Sequence, residues 1–310
     1  MKHFVELFDN RAAAVVQGAA LERLCTGAIW GEGPVWLAAE DSLLWSDIPN
    51  NRMLCWNEAS GLSVWRAPVE FTNGHCLDLD GSLLHCSHGQ RAVMRTPRVG
   101  GKIHGNTPMQ MVVNQYLGKK LNSPNDIVVK RNGSIWFTDP PYGILSDAEG
   151  YRAQSEQAAN HVFRLDPQTG HLQAATDWLD EPNGLAFSPD EKRLYVSDTS
   201  AALRPPGQGH HHIVVFDVGA QDQLSGPRVF AEINPGLADG FRVDVQGWLY
   251  TSSEDSVQIY HPDGSRLAKL HVPEKVGNLT FGGPLSQHLY VVASSSLYRM
   301  ALNTQGNPSP

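Results

Sequence analysis

Short apolar runs separated by turn residues dominate the chain, and they recur as a unit. A polar oxygen-bearing residue opens a short apolar strand, a turn follows, and a second apolar strand ends in a small or acidic residue. The pattern appears six times, from Glu32 (GPVWLAAEDSLLWSD follows), Asn73 (GHCLDLDGSLLHCS), Asn125 (DIVVKRNGSIWFTD), Asn183 (GLAFSPDEKRLYVSD), Asp239 (GFRVDVQGWLYTSS) and Asn278 (LTFGGPLSQHLYVVAS). Turn chemistry recurs at the same place, as Asp80-Gly81, Asn132-Gly133, Pro189-Asp190 and Gln246-Gly247. Each copy continues into a third strand-like run (RMLCWN, AVMRT, HVFRLD, IVVFD, VQIYH, LYRMAL). Five of them carry a fourth (LSVWRAP, MQMVV, LQAAT, PRVFAE, LAKLHV), and the sixth lacks one. A spare strand around Leu21 to Cys25 precedes the first copy and can complete the last sheet, removing an open edge. The pattern predicts an all-β protein: a six-bladed β-propeller with four antiparallel strands per blade, closed by an N-terminal strand. Length alone, 310 residues, suggests two domains. The repeat replaces that with one, comprising an N-terminal arm (1–19), a propeller (20–302) and a tail (303–310).

In a propeller the first strand of each blade lines the central channel, so its opening residue points to the axis. Read in order, those residues are Glu32, Asn73, Asn125, Asn183, Asp239 and Asn278: all oxygen donors, none Cys or His. Such a set suits a hard divalent cation, Ca²⁺ foremost, with Zn²⁺, Mg²⁺ or Mn²⁺ as substitutes. Capping of turns by Asn and Asp accounts for any one copy. It accounts poorly for six, one of which is Glu.

If the first strand runs away from this mouth, the loops between second and third strands return to it. Two long ones do so, Pro140 to Asn160 and Thr199 to His211, and the first carries the stiff aromatic element Pro140-Pro141-Tyr142-Gly143. The second strands end there in Asp47, Asp139 and Asp198, each able to orient a ligand amide. Asp139 is the first choice among them. His75, two residues past Asn73 on the channel-facing parity, is a candidate substrate contact. The run His210-His211-His212 does not converge on one metal, because consecutive strand residues alternate faces.

Composition narrows the classes. With 24 Lys+Arg against 32 Asp+Glu, the net charge of −8 argues against nucleic acid. The 29 Gly and 20 Pro supply the turns. No apolar run approaches a membrane span, and the N-terminus makes a poor signal peptide, so a cytoplasmic location is expected. The four cysteines show no CxxC and are expected to be free thiols. Neither a GxSxG elbow nor a GxGxxG or GxxxxGK[ST] loop occurs.

The segments GEGPVW (31–36), LNSPNDIVV (121–129), IWFTDPPYG (135–143), EPNGLAFSPD (181–190), ADGFRVD (238–244) and NLTFGG (278–283) together resemble the gluconolactonase/regucalcin (senescence-marker-protein) family. The resemblance runs from about residue 20 to 302. It implies a six-bladed propeller with one divalent metal held by Glu32, Asn125, Asn183 and Asp239, and Asn73 and Asn278 lining the site. It also implies metal-dependent hydrolysis of a sugar lactone such as glucono-1,5-lactone, with Asp239 as the catalytic proton acceptor. Members carry an arginine two residues before the third-blade asparagine, where it contacts the sugar lactone. Here that position is Ser123, which leaves the substrate contact to be made by Ser123 or by other residues. A phosphotriesterase-type reaction at the same site is the alternative within the enzyme class. A non-catalytic ligand- or protein-binding propeller with a structural cation is the alternative outside it. The expected partner is a small-molecule lactone; nothing in the sequence indicates a protein partner.

Overall fold

The computed structural model describes residues 4–308, so the outermost residues of the arm and of the tail lie outside the described residues. Six antiparallel sheets follow one another around a channel. Blade I comprises Gly31–Leu37, Ser42–Asp47, Arg52–Asn57 and Gly61–Arg66, from channel to rim. Blade II comprises Thr72–Leu77, Leu83–Ser87, Ala92–Thr96 and Gln110–Val113, and blade III Ile127–Val129, Ile135–Asp139, His161–Leu165 and Leu172–Thr176. Blade IV comprises Pro182–Phe187, Arg193–Asp198, His212–Val218 and Leu224–Glu232, and blade V Phe241–Val243, Leu249–Thr251, Ser256–Tyr260 and Arg266–His271. Blade VI takes Val276–Gly282, His288–Ala293 and Ser296–Ala301 from the C-terminal part of the chain. Its outer strand is Glu22–Thr26, antiparallel to Ser296–Ala301 with Glu22 opposite Arg299. The ring closes as the strand count requires.

The arm adds a strand the sequence does not announce. Val5–Leu7 pairs with Arg266–His271 as a fifth, outermost strand of blade V. Three residues are too few to display an alternation. A two-stranded hairpin, Gln115–Tyr116 with Lys119–Lys120, links blades II and III. Among the described residues no helix is long and apolar enough to cross a membrane. All four cysteines are free, Cys86 buried and the others partly so.

Apolar side chains gather between neighbouring blades in six clusters, one per interface. Trp136, Leu185, Val196 and Phe216 fill the gap between blades III and IV, and Trp45, Trp56, Tyr290 and Val292 the gap between blades VI and I. Each sheet therefore buries both faces, which is why the second strands read as nearly continuous apolar runs.

Candidate active site

What aims the six polar residues at the axis is a break in each inner strand. The pairing register shifts between Glu32 and Val35, Thr72 and His75, Pro182 and Leu185, and Val276 and Asn278. In blades III and V the strand begins only two residues after Asn125 and Asp239. A bulge bends a strand and redirects its side chains. Glycine beside the polar residue then lets neighbouring blades touch through backbone. A Cβ on Gly184 would lie 2.4 Å from the Asp239 carbonyl oxygen, and one on Gly33, whose φ is +56°, 2.1 Å from that of Asn73. Backbone bonds use this closeness: Gly74 N–H donates to Asn125 O at 2.7 Å, and Gly184 N–H to Asp239 O at 3.0 Å.

Five of the six ring residues, Glu32, Asn73, Asn125, Asn183 and Asp239, line one cavity of about 120 Å³ at this mouth. Asn278 does not face it. Its Nδ2 donates to Glu32 Oε2 at 3.0 Å and its Oδ1 accepts from Leu279 N, so it braces the glutamate from behind. Glu32 is 4% exposed, and its Oε1 is buried without a partner among the described residues. Burial, with Asp239 and Asp126 nearby, pushes the Glu32 carboxyl well above the usual range. Burial likewise raises Asp239 to about 6, against the opposing pull of Lys275 and of the Asn183 amide. Asn183 Nδ2 donates to Asp239 Oδ1 at 2.7 Å and to Thr199 Oγ1 at 3.2 Å, which turns its own oxygen toward the cavity.

These residues fit a hard divalent cation. Two carboxylates withdrawn from water, one with an unpartnered oxygen, sit beside amide oxygens of Asn125 and Asn183, the donor set such an ion takes. Glu32, Asn125, Asn183 and Asp239 would hold it. Among the described residues no group of three or more His, Cys, Asp or Glu side chains converges.

Three expected substrate contacts fall elsewhere. Asp139 does not reach the cavity: its Oδ2 accepts from Asn122 N at 2.8 Å. Asp47 and Asp198 do the same to Ile29 N (2.8 Å) and Asp180 N (2.7 Å). Each of these amides lies three residues before Glu32, Asn125 or Asn183. The aspartates thus fix the three segments that present ring residues, and burial takes Asp139 up to about 7. Ser123 is fully buried; its hydroxyl donates to Pro140 O and accepts from Gly143 N at 2.9 Å, latching the 140–150 loop. His75 lies further along its strand, near the other end of the channel, hydrogen-bonded to Ser46 and to Asn73 O.

Tyr142 does line the cavity, its hydroxyl hydrogen-bonded to Thr199 Oγ1 at 2.6 Å. Both return loops reach the mouth, bringing Glu149 from one and Thr199 from the other. His88, Glu149 and Lys275 were not singled out in the sequence, yet all three line the cavity. A signal existed for His88. Ile48, His88 and Thr199 each follow the last residue of a second strand, and alternation turns that next position inward. In the histidine run, alternation stacks His210 on His212 with centroids 4.6 Å apart, while His211 bonds to Ile233 O.

Comparison with known proteins agrees with this architecture. Residues 30–295 match the profile of the SMP-30/Gluconolactonase/LRE-like region. A gluconolactonase of Zymomonas mobilis subsp. mobilis is 31% identical over 323 residues, covering 96% of this chain and 86% of its own. A pentonolactonase of Haloferax volcanii is 28% identical, covering 85% and 81%. The solved structure of a gluconolactonase from Xanthomonas campestris superposes with a TM-score of 0.86 at 39% identity, over 96% of this chain and 94% of that one. The chain belongs to the SMP-30/gluconolactonase/LRE-like family.

Proposed function

We propose that the protein is a lactonase that opens a sugar lactone of the glucono-1,5-lactone type to the aldonic acid. In this reading one divalent cation, Ca²⁺ foremost, is held by Glu32, Asn125, Asn183 and Asp239. The observation that carries it is the pair of withdrawn carboxylates at one channel mouth, with Glu32 Oε1 lacking any partner. The lactonases among its relatives support the reaction class.

A bound divalent cation supplies Lewis acidity to the ester carbonyl. The protein's own groups do the rest. Asp239 Oδ1 accepts from the Asn183 amide and keeps a second lone pair that would ligate the cation, which leaves Oδ2 to take the proton as water attacks the carbonyl carbon. Breaking the bond between that carbon and the ring oxygen releases an alkoxide, and the same carboxyl returns the proton to it. Asn125, whose amide has no protein partner among the described residues, can donate to the developing oxyanion. Asn73, Tyr142 and Glu149 stand where a sugar's hydroxyls would reach, in place of the arginine that Ser123 does not supply.

A pH-stat assay over a lactone panel, with metal-stripped and Ca²⁺-restored protein, tests this. Aldonolactone turnover that vanishes on stripping and returns with the ion is expected. EDTA-insensitive turnover overturns the metal's part, and tight ion binding without hydrolysis of any lactone overturns the enzyme.

A further inference from the structure

The 140–151 loop, which carries Tyr142 and Glu149 to the cavity, is fastened to blade II at His88 and, beside it, through Tyr151. The imidazole is 1% exposed, and its two nitrogens face different elements. Nδ1 lies 2.8 Å from the Glu149 carbonyl oxygen, and Nε2 3.3 Å from Asn73 Nδ2. Gly143 lies against the ring, since a Cβ there would stand 2.5 Å from His88 Cγ. Beside it, Tyr151 packs edge-on against Phe71, centroids 5.3 Å apart, and donates to Glu70 Oε2 at 3.1 Å. The loop is thus clamped across the neighbouring blade.

The chemistry of these partners fixes every proton. A carbonyl oxygen only accepts, so Nδ1 carries the hydrogen. Burial lowers the imidazole's pKa to about 4, so the ring is neutral and Nε2 is a bare acceptor. Asn73 must therefore present its NH₂ to Nε2, which leaves Oδ1, without a protein donor among the described residues, for the cavity.

We propose that His88 is a positioning residue: it holds the Asn73 amide with its oxygen toward the substrate and ties the specificity loop to the same point. This rests on the lactonase reading, in which Asn73 Oδ1 accepts a hydrogen bond from a hydroxyl of the lactone. His88 does not itself touch substrate.

Two substitutions separate the two nitrogens. Asparagine overlays Nδ1 and keeps a donor for Glu149, whereas glutamine overlays Nε2 and keeps an acceptor for Asn73. His88→Asn is expected to raise KM about tenfold, the worth of one oriented hydrogen bond, with kcat within about threefold. His88→Gln keeps the Asn73 contact but loses the tie to Glu149, and is expected to raise KM by about threefold, less than His88→Asn. At neutral pH, ¹⁵N spectra of the wild-type protein should show the hydrogen of His88 on Nδ1. Equal loss in both variants with matching falls in Tm, an unchanged KM in His88→Asn, or an Nε2–H tautomer each overturns the assignment. If wild type hydrolyses no lactone, the proposed function fails, and the tautomer still decides the geometry of His88.

Discussion

The channel has two mouths built from the same six strands, and they differ in almost every chemical respect. At the mouth where the strands begin, Glu32, Asn73, Asn125, Asn183 and Asp239 enclose about 120 Å³. At the other, Trp36, Val128, Ala186, Phe187 and Phe281 line a larger cavity of about 280 Å³ whose charged lining residues are Arg131, Glu191 and Arg242. Arg242 is half spoken for: Nη1 donates to the Phe241 carbonyl and lies 3.7 Å from Asp126. Size does not locate the chemistry, and neither does the channel as such. The near mouth differs because each inner strand is broken there, which turns an oxygen-bearing side chain to the axis and leaves it short of protein partners.

The largest effect should come from the near mouth. Asp239→Asn removes the proposed proton acceptor and is expected to lower kcat by about 10²–10⁴-fold. Val128→Ala at the far mouth should leave it within about twofold. Comparable losses in the two variants, measured by pH-stat, would erase the distinction between the mouths. Glu32→Gln keeps the bond from Asn278 in prospect but halves the carboxylate charge, so Ca²⁺ affinity by calorimetry should fall about 100-fold, more than kcat at saturating ion.

Much of this was legible in the sequence, for identifiable reasons. The inner, second and third strands alternate or run apolar strongly enough to be placed, and the missing sixth outer strand could be recognised because Leu21 to Cys25 had no other partner. The ring residues were legible because a propeller converts one strand position into one channel position. The rest depends on contacts between blades, which local pattern does not record. Whether Asn278 faces the cavity or Glu32 is decided by an amide reaching 246 residues along the chain. Asp139 and Ser123 lie beside this mouth with loop backbone atoms as their partners, a direction that local pattern does not record. Glu149 and Lys275 sit on irregular loops with no periodicity to assign them a face.

The channel wall between the mouths carries a smaller prediction, one of stability. Asp126 is 2% exposed, and its Oδ2 has no hydrogen-bond partner among the described residues, so the Arg242 guanidinium is its compensation. Arg242→Met strands that carboxylate and should cost about 2 kcal/mol, less than a tight buried pair because the contact is loose. Adding Asp126→Asn should restore most of it, as read by the unfolding midpoint of each variant. A double variant no more stable than the single one overturns the pairing.

The smallest effect is also the one that separates the mouths by pH. The Asp239 carboxyl sits at about 6 and that of Glu32 well above its ordinary range, both raised by burial. A carboxyl raised on folding contributes stability that is fully present below its unfolded value, roughly 4, and is lost as pH rises through the folded value. Metal-stripped protein should therefore lose stability from about pH 4 up through pH 6 on account of Asp239, and Glu32 adds a loss of the same sign. Cation binding needs both ionised, so Ca²⁺ should raise Tm more at pH 7.5 than at pH 5, by a few degrees. Other carboxyls and histidines titrate over the same range, and Asp139, with its value near 7, has the same sign. The quantity to compare is thus the difference between wild type and Asp239→Asn at each pH, by calorimetry with and without Ca²⁺. That difference should narrow toward pH 5 without the ion, where wild type is protonated and resembles the amide. Added Ca²⁺ should shift it in favour of wild type at pH 7.5. A difference independent of both pH and Ca²⁺ would mean that the Asp239 carboxylate neither carries the raised pKa nor meets the ion.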